Sequence, residues 1–136
     1  MKIALLGYGK MGKTIESIAI ERGHEVVFKI DLNNKNEMVE ISKENVDVVI
    51  EFSSPESAYE NLIFCMNKGL KTVCGTTGWL EYRTQIEALC IQNDAAFFYA
   101  SNYSVGVNLF FKLNKMLAKL MNGHNQYEIF TSEIHH

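Results

Sequence analysis

The feature that most constrains this chain comes at its start, where Lys2-Ile3-Ala4-Leu5-Leu6 runs directly into Gly7-Tyr8-Gly9-Lys10-Met11-Gly12. An apolar run of strand length that breaks into glycines at this spacing predicts a strand, a tight turn and a helix. Gly7 allows the turn, Gly9 lets backbone approach a phosphate, and Gly12 lets the helix pack closely on the strand. A dinucleotide pyrophosphate then sits on the unpaired N–H groups of the helix N-terminus, favoured by the helix dipole.

The residues that follow supply the context this pattern needs. From Met11, residues Ile15, Ile18, Ala19 and Arg22 fall at helical spacing, Gly23 supplies a stop, and Glu25 to Ile30 reads as a second strand. Asp31 ends that strand about 20 residues after the glycines, where the adenosine ribose needs a hydroxyl acceptor. An aspartate at that place also suits the start of a turn. Leu32 to Asn45 is a polar connector containing Asn33-Asn34-Lys35-Asn36, with at most a short helical stretch from about Glu37 to Lys43. Lys35 reads as a solvated loop lysine, with a phosphate contact near the adenosine as its alternative.

Two more strand–helix units follow. Val46 to Ser53 is a β-branched run of the kind found in buried parallel strands, and its end at Phe52 and Ser53 is expected beside the cofactor. Ser54 suits an N-cap and Pro55, the single proline, the first helical position, with Ala58, Leu62, Ile63 and Met66 inward until Gly69. Leu70 to Cys74 is a fourth strand that ends in Gly75-Thr76-Thr77-Gly78, a small-residue loop that reads either as a ligand loop or as a plain turn. A helix from Trp79 places Tyr82, Ile86, Leu89 and Cys90 at core spacing, with its aromatics read as packing. Ala95 to Ala100 is a fifth strand, and its carboxyl end delivers Ser101-Asn102-Tyr103-Ser104. Val105 to about Asn122 is helical, with Leu109, Leu113, Met116, Leu117 and Leu120 on one face. Gln126 to Ile134 alternates as a half-buried strand does, and it leads into His135-His136.

Composition narrows the function classes. With 47% apolar and 21% charged residues in 136, the chain reads as an ordinary globular protein of about one domain. A formal net charge of −3 provides no basic field for nucleic acid or an anionic membrane. The absence of an 18-residue apolar run and of a signal-peptide pattern leads to an expected cytoplasmic location. Cys65, Cys74 and Cys90 form no C-x-x-C pair, so neither a disulfide framework nor a metal site is expected, and all three read as core fillers.

In order along the chain, Gly7 to Gly12 with Asp31, Glu51-Phe52-Ser53-Ser54-Pro55, Gly75-Thr76-Thr77-Gly78, Ser101-Asn102-Tyr103-Ser104-Val105-Gly106-Val107-Asn108 and Glu133-Ile134-His135-His136 resemble the dihydrodipicolinate reductase family. The resemblance spans the whole chain, and the last three motifs are its specific part. It implies an α/β fold with a Rossmann-type doubly wound parallel sheet and the start of a second α+β domain. Residues 1–122 are then an NAD(P)-binding domain with its connecting helix, and 123–136 the first strand of a C-terminal substrate and tetramerisation domain. The implied activity is NAD(P)H-dependent reduction of 4-hydroxy-tetrahydrodipicolinate in lysine and diaminopimelate synthesis, with a dicarboxylate substrate and a homotetrameric full-length form.

By the same resemblance Gly7, Tyr8, Gly9, Lys10, Met11 and Gly12 hold the pyrophosphate and Asp31 the ribose. Gly75, Thr76 and Thr77, with Ala100, Ser101, Asn102 and Tyr103, frame the nicotinamide, and Thr77 also touches substrate. His135 corresponds to the proposed acid and His136 to the partner of a substrate carboxylate. Such a reduction needs a hydride from the cofactor and a proton from a positioned acid, a part that histidine suits near neutral pH. Taken alone, the paired histidines also read as exposed surface or a tag remnant. The lysine, the Ser-Gly-Thr loop and the second domain expected after them are absent, so the chain is expected to be part of a longer enzyme. Asp31 followed by Leu32, with no adjacent arginine for a 2′-phosphate, favours NADH, with NADPH possible. The rival readings are an aspartate or homoserine dehydrogenase, and a nucleotide-binding module without chemistry.

Overall fold

The structure is a computed structural model that describes residues 1–132 and Ile134. It divides into two compact units, Met1–Ser101 and Asn102–His136. The first is a five-stranded, wholly parallel sheet built from β1 (Lys2–Leu6), β2 (Glu25–Ile30), β3 (Val48–Glu51), β4 (Lys71–Cys74) and β5 (Ala96–Tyr99), in the spatial order β2-β1-β3-β4-β5. Helices α1 (Lys10–Glu21), α2 (Pro55–Asn67) and α3 (Arg83–Gln92) connect them. Parallel strands require such crossovers, and their sheets require cover on both faces.

The alternation along β1 shows how that cover is divided. Ile3 and Leu5 pack with Ala19 of α1, whereas Ala4 and Leu6 join a larger cluster with Ala58, Leu62, Cys65 and Met66 of α2 and Ile86 of α3. Side chains two apart share a face, so one strand serves two cores. Burying each large apolar side chain contributes about 1.5–3 kcal/mol. β1 lies second in the sheet, in register with Glu25–Ile30 on one side (Leu6 opposite Ile30) and with Val48–Glu51 on the other (Leu6 opposite Glu51). The chain therefore leaves β1 toward one edge and returns on its other side at β3. That reversal opens a crevice at the strands' carboxyl ends.

Local differences from the sequence expectation have local causes. The connector after β2 holds a 3-10 turn at Lys35–Glu40 rather than a helix to Lys43, and it buries Met38 in the larger core. Asparagines flank that turn and take up backbone groups in place of a helix: Asn34 accepts from Asp31 N–H and donates to the Lys29 carbonyl, and Asn45 accepts from Ser42 N–H and donates to the Glu40 carbonyl. Trp79 is not helical but caps a 3-10 turn, Leu80–Tyr82, that precedes α3, and Tyr82 is 39% exposed and lies beside Tyr59 rather than in the core.

Within the second unit, α4 (Val105–Met121) starts from a closed set of hydrogen bonds. Asn102 Oδ1 accepts from Ser104 N–H at 2.8 Å, Ser104 Oγ accepts from Val107 N–H at 3.3 Å, and Asn108 Nδ2 donates to the carbonyls of Asn102 and Ser104. The polar residues of the 101–108 motif thus cap a helix. The apolar residues of α4, Leu109 to Leu120, are exposed. Among the described residues of 126–134 no strand forms, contrary to expectation; a strand needs a ladder partner, and none pairs with this segment among the described residues. No helix among the described residues is long and apolar enough to cross a membrane.

Cys65 and Cys74 are fully buried and Cys90 is partly so; burial pushes all three thiols up. A thiol reagent acts on the thiolate. The native chain is therefore expected to release at most the Cys90 equivalent under a disulfide reagent and all three after unfolding. Three equivalents from the native chain would contradict this core.

Candidate functional site

The crevice at the carboxyl ends of β1, β2 and β3 is a cavity of about 350 Å³, within the range of small-molecule sites. Leu6, Gly7, Tyr8 and Gly9 form its floor from β1, Ile30, Asp31, Leu32, Asn33 and Lys35 one wall, and Phe52, Ser53, Ser54, Ser57 and Asn61 the other.

Two of the three glycines of this motif are fixed by steric limits. Gly7 has φ +97°, and a Cβ there would stand 2.1 Å from the Phe52 carbonyl oxygen. A Cβ on Gly12 would stand 2.3 Å from the Gly7 carbonyl oxygen, so the first turn of α1 lies against the loop. Gly9 differs, since nothing lies within 4 Å of the place its Cβ would take. Gly9 is also the N-cap of α1; no side chain caps the helix, and its first turn carries no acidic residue. Open space in front of an uncapped helix N-terminus fits an anion such as a pyrophosphate. Gly12 lies in that first turn, whereas Lys10 and Met11 are exposed on it and outside the cavity lining.

Tyr8 is held at the rim. Its hydroxyl donates to Glu16 of α1, Lys29 Nζ lies 3.2 Å from Glu16 Oε1, and the same ammonium is 5.3 Å from the Tyr8 ring centre. The hydrogen bond to Glu16 raises the phenol, the bond from Tyr8 lowers the carboxyl, and Glu16 raises the Lys29 ammonium.

Asp31 closes a turn and also lines the cavity. Its Oδ1 accepts from Asn33 N–H at 2.7 Å and its own N–H donates to Asn34 Oδ1 at 2.8 Å, which closes a turn. Asp31 nonetheless lines the cavity, and its second oxygen takes no hydrogen bond among the described residues. Lys35 also lines the cavity and pairs with Glu60 of α2 at 2.6 Å, which lowers the Glu60 carboxyl.

The residues expected around the nicotinamide lie outside the lining of this cavity. Gly75, Thr76 and Thr77 follow β4 and do not line the cavity. Gly75 lies against the Phe52 ring, where a Cβ would stand 2.1 Å from it, and Thr76 Oγ1 accepts from Ser53 N–H at 2.9 Å. Thr77 is exposed. Ala100 N–H donates to the Cys74 carbonyl at 3.3 Å, and Ser101 closes the first unit. Asn102 and Tyr103 belong to the second unit. His135 and His136 lie outside the described residues.

Ser54, Ser57 and Asn61 are cavity residues that the sequence reading did not assign to the site. Their spacing of three and four places the N-cap Ser54 with Ser57 and Asn61 on one polar stripe of α2, whose other buried residues, Ala58, Leu62, Cys65 and Met66, are apolar. That signal was available in the sequence. Among the described residues no group of His, Cys, Asp or Glu could hold a metal ion.

Comparison with known proteins adds four findings. Residues 1–103 match the family model described as dihydrodipicolinate reductase, N-terminus. Over all 136 residues the chain is 46% identical to the 4-hydroxy-tetrahydrodipicolinate reductase of Christiangramia forsetii, spanning 56% of that protein. Among solved structures it is similar to a dipicolinate-bound dihydrodipicolinate reductase from Paenisporosarcina sp. TG-14, with a TM-score of 0.69 at 23% identity over 87% of this chain and 53% of that one. It is also similar to the aspartate dehydrogenase of Thermotoga maritima, with a TM-score of 0.55 at 17% identity over 85% and 52%. At these identities the structural likenesses show a shared Rossmann-type fold. The chain spans a little over half the length of the reductase it matches in sequence.

Proposed function

The chain belongs to the dihydrodipicolinate reductase family, and from that membership we propose that it is the cofactor-binding part of a 4-hydroxy-tetrahydrodipicolinate reductase, taking NADH in preference to NADPH. The observation that carries this reading is the cavity at the sheet's reversal point, with an uncapped helix N-terminus on one side and Asp31 on the other. In this reading Gly7, Tyr8, Gly9 and the first turn of α1 bind the pyrophosphate, and the open oxygen of Asp31 accepts from the ribose. Phe52 and Ser53 support the dinucleotide, and Gly75 to Thr77 with Ala100 to Tyr103 border its nicotinamide. When bound, the reduced nicotinamide supplies a hydride.

The remaining steps belong to the longer enzyme. We assign His135 as the acid that protonates the reduced substrate and His136 as a contact for a substrate carboxylate, with Thr77 also touching it. Residues 123–136 then open a C-terminal domain that binds the dicarboxylate and assembles a homotetramer in the cytoplasm. The 46% identity along the whole chain supports this assignment.

The test is a calorimetric titration of the 136-residue chain with NADH and with NADPH. Saturable binding, tighter for NADH, is expected. Asp31→Ala is expected to weaken NADH about tenfold, the scale of a hydrogen bond to a charged acceptor. Equal NADH affinity in the variant would refute the ribose assignment, and no binding to the folded wild type would refute the cofactor reading.

A further inference from the structure

Glu51 is fully buried at the last position of β3, below the cavity rather than in its lining. The proposed cofactor contacts leave it without a part. The rest of β3 is Val48, Val49 and Ile50, and an apolar side chain at 51 would bury with no charge to desolvate. A buried carboxylate needs donors, and each donor that Glu51 has belongs to a segment bordering the proposed site.

Glu51 Oε1 accepts from Ser53 N–H at 3.2 Å, from the Ser53 hydroxyl and from Asn61 Nδ2 at 3.3 Å, while Oε2 accepts from the Cys74 thiol at 3.2 Å. Ser53 and Asn61 are bound to each other at 3.2 Å, and both line the cavity. The same Ser53 N–H also reaches Thr76 Oγ1, and the Glu51 carbonyl accepts from Gly75 N–H at 2.9 Å. One residue therefore joins the β3 end, α2, the β4 end and the Gly75–Thr77 loop.

We propose that Glu51 is a positioning residue for the dinucleotide, its carboxylate holding Ser53 and Asn61 of the cavity wall and, through Ser53, the Gly75–Thr77 loop in the arrangement that binding requires. The inference rests on the cofactor reading above. Reach rather than charge is what the geometry uses. Gln at 51 keeps an oxygen for Ser53 and Asn61 and turns its amide to Cys74, whose thiol has the Thr76 carbonyl at 3.6 Å as a second acceptor. Asp keeps the charge but withdraws it by roughly one bond length, about 1.5 Å.

NADH titrations of wild type, Glu51→Gln, Glu51→Asp and Glu51→Ala separate positioning from stability. A residue that only supports the fold lowers the binding stoichiometry as chains unfold, while the folded fraction keeps its affinity. Positioning raises Kd at unchanged stoichiometry. The expected result is Glu51→Gln within about threefold of wild type, with Glu51→Asp and Glu51→Ala weaker by about tenfold or more. Should Glu51→Ala fail to fold by circular dichroism, the Gln and Asp pair carries the comparison. Wild-type affinity in Glu51→Asp overturns the inference alone, as does equal weakening in Gln and Asp. A folded wild type that takes up no NADH overturns the cofactor reading, and the inference with it.

Discussion

Replacing Gly7 by alanine is expected to abolish measurable NADH binding and to cost the chain about 2–4 kcal/mol of stability, combining backbone strain with overpacking. At φ +97° a side chain is strained whatever the space, and here the space is filled by the Phe52 carbonyl at 2.1 Å. Main chain cannot swing aside as a flexible side chain does. The end of β3 must move, and Ser53 with it, so one methyl displaces both the floor and a wall of the cavity. Gly9→Ala provides the contrast. Gly9 has φ −85° and nothing within 4 Å of the added methyl, so stability is expected to stay within about 0.5 kcal/mol. The methyl then occupies the space assigned to the pyrophosphate, and NADH affinity is expected to fall about tenfold or more, the scale of a packing clash. Urea unfolding and calorimetry on the two variants distinguish these effects. Unchanged NADH affinity in Gly9→Ala would remove the pyrophosphate from this loop.

Trp79→Ala is expected to cost about 3–5 kcal/mol, the range for a large aromatic removed from a core. Trp79 is 1% exposed, with its ring edge-on to Phe97 at 5.5 Å and to Tyr99 at 5.0 Å, and its indole N–H donates to the Thr76 carbonyl at 2.8 Å. Removing it opens a void between β5 and the Gly75–Gly78 loop and takes a donor from a buried carbonyl. Trp79→Phe keeps most of the packing and is expected to lose about 1–2 kcal/mol through the hydrogen bond and residual volume. A loss of several kcal/mol is a large share of the 5–15 kcal/mol that typically holds a domain. The urea midpoint measures it. A midpoint shift in Trp79→Ala worth under about 1 kcal/mol would place Trp79 at the surface instead.

Much of this fold is legible in the residues themselves. The glycines at 7, 9 and 12, the β-branched run before Glu51 and Pro55 after Ser54 each act within a few residues, so local spacing predicts β1, α1, β3 and α2 directly. β2 runs from Glu25 to Ile30 in both reading and structure. The 101–108 motif was legible as a pattern, but its part as a closed cap on α4 appears only once Asn102, Ser104 and Asn108 are seen bonded to one another. The strand expected from Gln126 shows the opposite limit. Alternation marks a segment suited to a ladder, and a ladder forms only when a partner is present.

What the sequence alone determined is the order of strands and helices, the glycine-rich turn and the family, because each depends on residues near one another in the chain or on motifs in series. The tertiary structure decided the strand order β2-β1-β3-β4-β5, and with it which strand ends meet. It also decided that Ser57 and Asn61 enter the cavity wall, that Asp31 closes a turn while lining the cavity, and that Glu51 lies beneath. Those relations join residues tens of positions apart. They are set by which faces pack and which buried donors find acceptors, neither of which is written in the spacing of a linear chain.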